Sequence, residues 1–110
     1  MREEMKSAYA LIGSYKSGAI EPGTEITQEQ DRLIRLLATD LEVEVDGLDI
    51  GTIVSLVARA DTLWNRETMT AVCEFHDRRE AGSVEEAEAV RSCFVSRCPS
   101  VWYCGVLESL

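Results

Sequence analysis

The stretch from Leu48 to Trp64, LDIGTIVSLVARADTLW, constrains the fold of this chain more than any other segment. Apolar residues recur in it at spacings of three and four, which predicts an α-helix. The predicted buried face comprises Ile50, Ile53, Val54, Val57, Ala60, Asp61 and Trp64. Leu56, Ala58 and Leu63 widen the apolar surface beyond one face, so this helix should lie centrally, covered by several others. Its polar and charged residues make insertion into a membrane unfavourable.

Two amphipathic helices are predicted before this central helix. The first covers Arg2 to Lys16, and its apolar stripe comprises Met5, Ala8, Tyr9, Ile12 and Tyr15. The second should start at a capping box formed by Thr27 and Gln30 and end near Asp40. Its predicted buried residues are Leu33, Ile34, Leu37, Ala38 and Leu41. Asp46 or Asp49 could then accept hydrogen bonds from the first amides of the central helix.

Helical periodicity resumes after Asn65. Met69, Val72, Cys73 and His76 predict either a kinked continuation of the central helix or a separate short helix. A second capping box, Ser83 with Glu86, should begin the last helix, and Pro99 should end it by about Arg97. The predicted buried residues of this helix are Val84, Ala87, Val90 and Phe94.

Two segments favour extended structure instead. Residues 41–46 alternate strictly between apolar and acidic residues, the period of a strand with one buried face, although the second helix could also run on to Glu44. Residues 100–107, SVWYCGVL, are rich in aromatic and branched residues and could pair with residues 41–45. The predicted fold is therefore mainly α: a single domain over residues 1–110, with about four helices bundled around residues 48–64 and a small two-stranded β element.

Charge limits the classes of partner. Twenty acids against eleven bases give a net charge of -9. Nucleic acids and anionic membranes are bound by clustered Lys and Arg, so direct binding to either is not expected. The amino-terminal residues lack the features of a secretory signal. We therefore expect a cytoplasmic protein whose four cysteines are reduced thiols.

The acids are clustered, and a basic protein surface is the partner that such clusters would attract. The predicted partner-binding residues are Asp40, Glu42, Glu44, Asp46, Asp49, Glu85, Glu86 and Glu88. The expected function is that of a small inhibitor or adaptor without enzymatic activity. One version is a nucleic-acid mimic, because small inhibitors that phages and mobile elements direct against defence enzymes often have this charge and size. The apolar segment 100–107 could also form a homodimer contact.

The cysteines suggest an alternative function. Four thiols and one imidazole would suffice for a zinc-stabilised regulatory domain, with ligands drawn from Cys73, His76, Cys93, Cys98 and Cys104. The chain lacks a Cys-x2-Cys pair, however, and the simpler interpretation buries Cys73 and Cys93 in helical core positions. No cofactor is therefore expected. His76 is the only histidine, which excludes any site that needs two imidazoles.

Paired carboxylates suggest a second alternative. Glu74 with Asp77, and Glu85 with Glu88, are three residues apart on successive helical segments. If the two pairs faced each other they could hold Mg²⁺, as in a helical nucleotide hydrolase. No lysine that could bind a phosphate accompanies them, and solvated helix faces explain the same pattern.

Overall fold

The computed structural model describes residues 2–21 and 23–110, and the regular structure in this part of the chain is entirely helical. The helices are α1 (Arg2–Lys16), α2 (Gln28–Asp40), α3 (Ile50–Glu80), α4 (Val84–Arg97) and α5 (Val101–Glu108). The prediction of a mainly α protein is confirmed. None of these helices combines the length and apolar character needed to cross a membrane.

Contacts between residues divide the chain into two compact units, one ending at Asp61 and one beginning at Thr62. In the first unit α1 packs on α2, and the beginning of α3 contributes to the same unit. All five predicted core residues of α2 are buried. The other buried apolar residues of this unit are Ala8, Ile12, Ile53, Val54 and Val57. That the whole chain forms a single domain stays a prediction.

The capping box that begins α2 forms as predicted. The Thr27 hydroxyl accepts a hydrogen bond from the Gln30 amide at 3.1 Å, and the Gln30 side chain accepts one from the Thr27 amide at 3.0 Å. The predicted end of α4 before Pro99 is also confirmed, because α4 ends at Arg97.

In the second unit α4 packs on α5, and aromatic residues supply much of the core. Phe75 and Phe94 are each 1% exposed, and Trp64 meets Phe94 edge to face at 6.1 Å. Arg91 lies 4.9 Å above the Phe75 ring and donates a hydrogen bond of 3.1 Å to the Leu107 carbonyl. Arg91 therefore joins α3, α4 and α5 within this unit.

The predicted β element is wrong, because residues 101–108 form α5 and residues 41–45 form no strand. The hydroxyl of Ser100 accepts a hydrogen bond from the Tyr103 amide at 3.1 Å and caps α5. Helical spacing then buries Tyr103, Cys104 and Leu107 together, whereas a strand would have placed Tyr103 and Cys104 on opposite faces. Whether this segment forms a homodimer contact stays a prediction.

The predicted stripe beyond Trp64 is also wrong. α3 continues without interruption to Glu80, but Thr68, Ala71 and Phe75 are buried. Met69, Cys73 and His76 are exposed. Phe75 has more apolar surface to bury than Cys73 or His76, so its face determines the side of the helix that packs inward. Val84, which was predicted in the core of α4, is 62% exposed.

Candidate partner-binding surface

The segment that joins α2 to α3 begins with a Schellman motif. The Val43 amide donates to the Ala38 carbonyl at 2.8 Å, and the Glu42 amide donates to the Thr39 carbonyl at 3.3 Å. This motif needs a left-handed residue directly after the cap, and Glu42 adopts that conformation with φ 54°. Glycine is the usual residue at this position, so a glutamate there costs stability.

A second turn fixes the middle of the segment. The Leu48 amide donates to the Val45 carbonyl at 3.1 Å, and Gly47 supplies a positive φ of 75° that this turn needs. Val43 and Val45 are half-buried, whereas Glu42, Glu44 and Asp46 are exposed. The alternation of buried and exposed residues predicted from the sequence is confirmed here, although no strand forms.

Asp49 ends the segment at the start of α3. Its carboxylate accepts a hydrogen bond from the Thr52 hydroxyl. This hydrogen bond, with contributions from the backbone amides of Asp49 and Thr52, holds the pKa of the Asp49 carboxyl below its ordinary value. Asp49 is therefore ionised at neutral pH, and its carboxylate is hydrogen-bonded to Thr52.

We call the four exposed carboxylates Glu42, Glu44, Asp46 and Asp49 the acidic loop. Within residues 2–21 and 23–110, none of the ion pairs involves a member of the acidic loop. Asp40 differs from them, because it is half-buried and accepts a hydrogen bond of 2.7 Å from the Tyr9 hydroxyl. Asp40 therefore connects α1 to α2, whereas the carboxylates of the acidic loop are exposed and form no ion pair among the described residues.

The predicted partner-binding residues on α4 belong to the second unit, and two of them form ion pairs there. Glu86 lies 3.2 Å from Arg78, and Glu88 lies 2.8 Å from Arg91. The Ser83 hydroxyl accepts from the Glu86 amide at 3.4 Å, but the Glu86 carboxylate pairs with Arg78 instead of completing the predicted capping box. Glu85 is exposed. This set is therefore less available to a partner than the acidic loop.

The five predicted zinc ligands are not gathered into one site. In the described part of the chain, no three His, Cys, Asp or Glu side chains are placed to hold a metal ion together. The prediction that Cys73 and Cys93 fill core positions is wrong, since both are exposed and Cys98 and Cys104 are buried instead. The Cys104 thiol lies 3.4 Å from the Cys98 carbonyl and the Cys98 thiol 3.9 Å from the Ser100 carbonyl.

Two of the four predicted magnesium carboxylates, Glu74 and Glu88, contact arginines, whereas Asp77 and Glu85 are exposed. Glu74 lies 3.9 Å from Arg78 on the next turn of α3, and both carboxylate oxygens of Glu88 accept hydrogen bonds from Arg91. These are intrahelical pairs on exposed faces, which is the arrangement that the solvated-face interpretation predicts.

An ion pair in the first unit, with its carboxylate buried and its lysine partly exposed, was missed by the sequence reasoning. The Lys16 ammonium lies 2.8 Å from Asp61, whose side chain is only 8% exposed. Asp61 had been placed on the buried face of the central helix, and a carboxylate on such a face needs a hydrogen-bonded partner. That requirement was a usable signal, but the periodicity of α3 does not reveal which cation meets it.

No known protein family, characterised protein or solved structure matches this chain.

Proposed function

We propose that this protein is a binding module whose acidic loop occupies a basic surface of a partner protein, so that it acts as an inhibitor or adaptor. The observation that carries the proposal is the acidic loop itself, which has four exposed carboxylates in an eight-residue span and no cation paired with them among the described residues. Such a concentration of one charge accelerates encounter with a basic partner and selects its orientation.

The backbone of this segment supports the proposal. The Schellman motif at Glu42, the turn closed by Leu48 and the hydrogen bond between Asp49 and Thr52 fix it at three points. A segment whose conformation is already fixed loses less entropy on binding than a flexible one. The left-handed Glu42 also keeps a charged side chain where glycine would be the more stable choice.

Among binding modules of this kind, the negative charge of the acidic loop favours a nucleic-acid mimic. Closely spaced, exposed carboxylates can occupy a groove whose Lys and Arg otherwise contact phosphates. A partner of this kind would bind nucleic acid by itself, and this protein would compete with that binding. Inhibition of such an enzyme, including a defence enzyme directed against phages or mobile elements, would follow from the competition.

Site-specific photocrosslinking tests the location of the contact. We would place a benzophenone amino acid at position 44, within the acidic loop, and in a matched control at position 80, where Glu80 is an exposed acid at the end of α3. After irradiation in an extract of the source organism, a protein adduct should form from position 44 and not from position 80. The adduct partner, purified by itself, should bind this protein.

Adducts of equal yield from both positions would contradict a contact centred on the acidic loop. Nucleic acid added to the purified partner distinguishes the mimic from other binding modules. Competition with nucleic acid supports the mimic, whereas unaffected binding would leave an adaptor or inhibitor of another kind and remove mimicry.

A further inference from the structure

A small pocket lies in the first unit between the end of α1, residues 23–26 and the first turns of α3. It has a volume of about 130 Å³ and its walls include Tyr15, Ile26, Val54 and Ala58. An apolar cavity of about 150 Å³ accommodates benzene. The pocket is therefore the size of one branched aliphatic or small aromatic side chain.

The charge on one wall of the pocket is already compensated. Lys16 lines the pocket, but its ammonium is paired with Asp61 at 2.8 Å. An anionic ligand would have to compete with a buried carboxylate for this lysine, and removing a partner from a buried ion pair is costly. A phosphate or a small carboxylate is therefore a poor occupant.

The pocket adjoins Asp49 of the acidic loop at Gly51. Gly51 lines the pocket, and a Cβ placed on Gly51 would lie 3.5 Å from the Asp49 carboxylate. Asp49 is an exposed carboxylate that is ionised at neutral pH, and the hydrogen bond from the Thr52 hydroxyl lowers the pKa of its carboxyl further. The first unit thus has an apolar recess next to an ionised carboxylate.

We propose that this pocket receives an apolar side chain of the partner protein, adjacent in that partner to a Lys or Arg that pairs with Asp49. The inference rests on the proposed function and specifies its partner as a protein with an apolar anchor beside a basic residue. Binding energy at protein interfaces is concentrated in such anchors, which fill a pocket and are surrounded by polar contacts. The acidic loop would then orient the partner, and the pocket would hold it.

Three small probes that share a 3-methylbutyl group and differ in their polar head test the chemistry of the pocket on the full chain. They are 3-methylbutylammonium, the neutral 3-methylbutanol and the anionic 4-methylpentanoate, each titrated while the backbone amides are followed by NMR. We expect shifts of the Gly51, Val54 and Ala58 amides with the ammonium and the alcohol. The ammonium should bind about 2- to 5-fold more tightly than the alcohol, the effect of one exposed ion pair, and the carboxylate most weakly.

Two variants separate the contributions of shape and charge. Ser55 is exposed and lines the pocket, so Ser55→Leu should fill the recess without disturbing the core and abolish the shifts with all three probes. In Asp49→Asn the alcohol should still bind, and the ammonium should bind no more tightly than the alcohol. Asparagine, like aspartate, can cap the start of α3, so the helix should be preserved.

Three results would overturn the proposal: no shifts at these amides, tightest binding of the carboxylate, or shifts that follow protein concentration and so report self-association. The probes need no partner, so their failure leaves the crosslink from position 44 unaffected. Conversely, if the probes bind but position 44 gives no adduct, the pocket is real and the proposed function fails.

Discussion

At the scale of single residues, Glu42 holds a conformation that suits glycine. α2 and α3 both end in a Schellman motif, and the left-handed residue is Gly82 in α3 but Glu42 in α2. Glu42→Gly should therefore raise the free energy of unfolding by about 1 kcal/mol, measured by chemical denaturation. Glu42→Gln removes the same charge but keeps a side chain on the left-handed residue. It should therefore raise the free energy of unfolding much less than Glu42→Gly does.

The reciprocal substitution at the end of α3 provides a control. Gly82→Ala forces a side chain into a φ of 86° and should cost about 1 kcal/mol, although open space surrounds the position. If Glu42→Gly proved neutral or destabilising while Gly82→Ala cost stability, the left-handed strain assigned to Glu42 would be wrong.

The ion pair between Lys16 and Asp61 should contribute to stability because it compensates a buried carboxylate. Lys16→Met keeps the aliphatic length and removes the charge, and it should lower the free energy of unfolding by about 1–3 kcal/mol. The matched control is Arg35→Met, which removes the exposed pair between Arg35 and Asp31 and should cost at most about 0.5 kcal/mol. If both variants lowered the free energy of unfolding equally, burial of Asp61 would not increase the contribution of its ion pair to stability.

The hydrogen bond from Thr52 predicts how Asp49 responds to pH. Because the pKa of Asp49 is lowered in the folded chain, its ionised form favours folding above about pH 4, and this contribution is lost as the pH falls through the folded-state pKa. Thr52→Val should move the pKa of Asp49 back toward its ordinary value, as measured by NMR titration of the carboxyl carbon. A pKa that stays unchanged in this variant would assign the shift to the backbone amides instead.

At the scale of helices and loops, the cap of α5 should matter more than the cap of α4. Ser100 is fully buried and its hydroxyl accepts from Tyr103 at 3.1 Å, whereas the hydrogen bond from Glu86 to Ser83 is longer, at 3.4 Å. Ser100→Ala should cost about 1–2 kcal/mol and Ser83→Ala about 0.5 kcal/mol. Thermal unfolding of both variants measures the difference, and an equal effect would contradict the assigned role of Ser100.

A helix was predicted correctly where its capping residues and the spacing of its apolar residues indicate the same structure. α2 was predicted with its cap, its end and all its core residues because Thr27, Gln30 and the apolar stripe indicate the same structure. α5 was predicted incorrectly because aromatic and branched residues favour a strand locally, whereas Ser100 and the spacing of Tyr103, Cys104 and Leu107 favour a helix. The second half of α3 was predicted with the wrong face, because Met69 and Cys73 fit the periodicity as well as Phe75 does.

The acidic loop was only partly predictable. Its alternating exposure follows from the alternation of Val43 and Val45 with acids, because burying the apolar side chains and solvating the charged ones is favourable even without a strand. The left-handed Glu42 could not be predicted, because it depends on the Ala38 and Thr39 carbonyls at the end of α2. The pocket beside Asp49 depends on how the last residues of α1 and residues 23–26 lie beside the first turns of α3, which a one-dimensional pattern does not encode.

At the scale of the whole molecule, the excess negative charge is concentrated in one half of the chain. Residues up to Asp61 include twelve acids and six bases, whereas the residues after it include eight acids and five bases. Several acids of the second half form ion pairs with arginines, as Glu86 does with Arg78 and Glu88 with Arg91. A basic partner should therefore be attracted mainly to the first unit.

The most direct test of this account compares two variants with equal net charge. One neutralises the acidic loop through E42Q, E44Q, D46N and D49N, and the other neutralises four exposed acids elsewhere through E3Q, E25Q, E80Q and E108Q. The affinity of each for the crosslinked partner would be measured at several salt concentrations. Circular dichroism and thermal unfolding would establish that both variants are folded.

We expect the loop variant to bind at least about tenfold more weakly than the unmodified protein and with a flatter dependence on salt. The control variant should stay within about twofold, because it alters net charge without altering the proposed contact. Equal loss from both variants would mean that net charge alone drives binding, and unchanged affinity of the loop variant would mean that the partner binds elsewhere. Either result would contradict the assignment of the acidic loop as the binding surface.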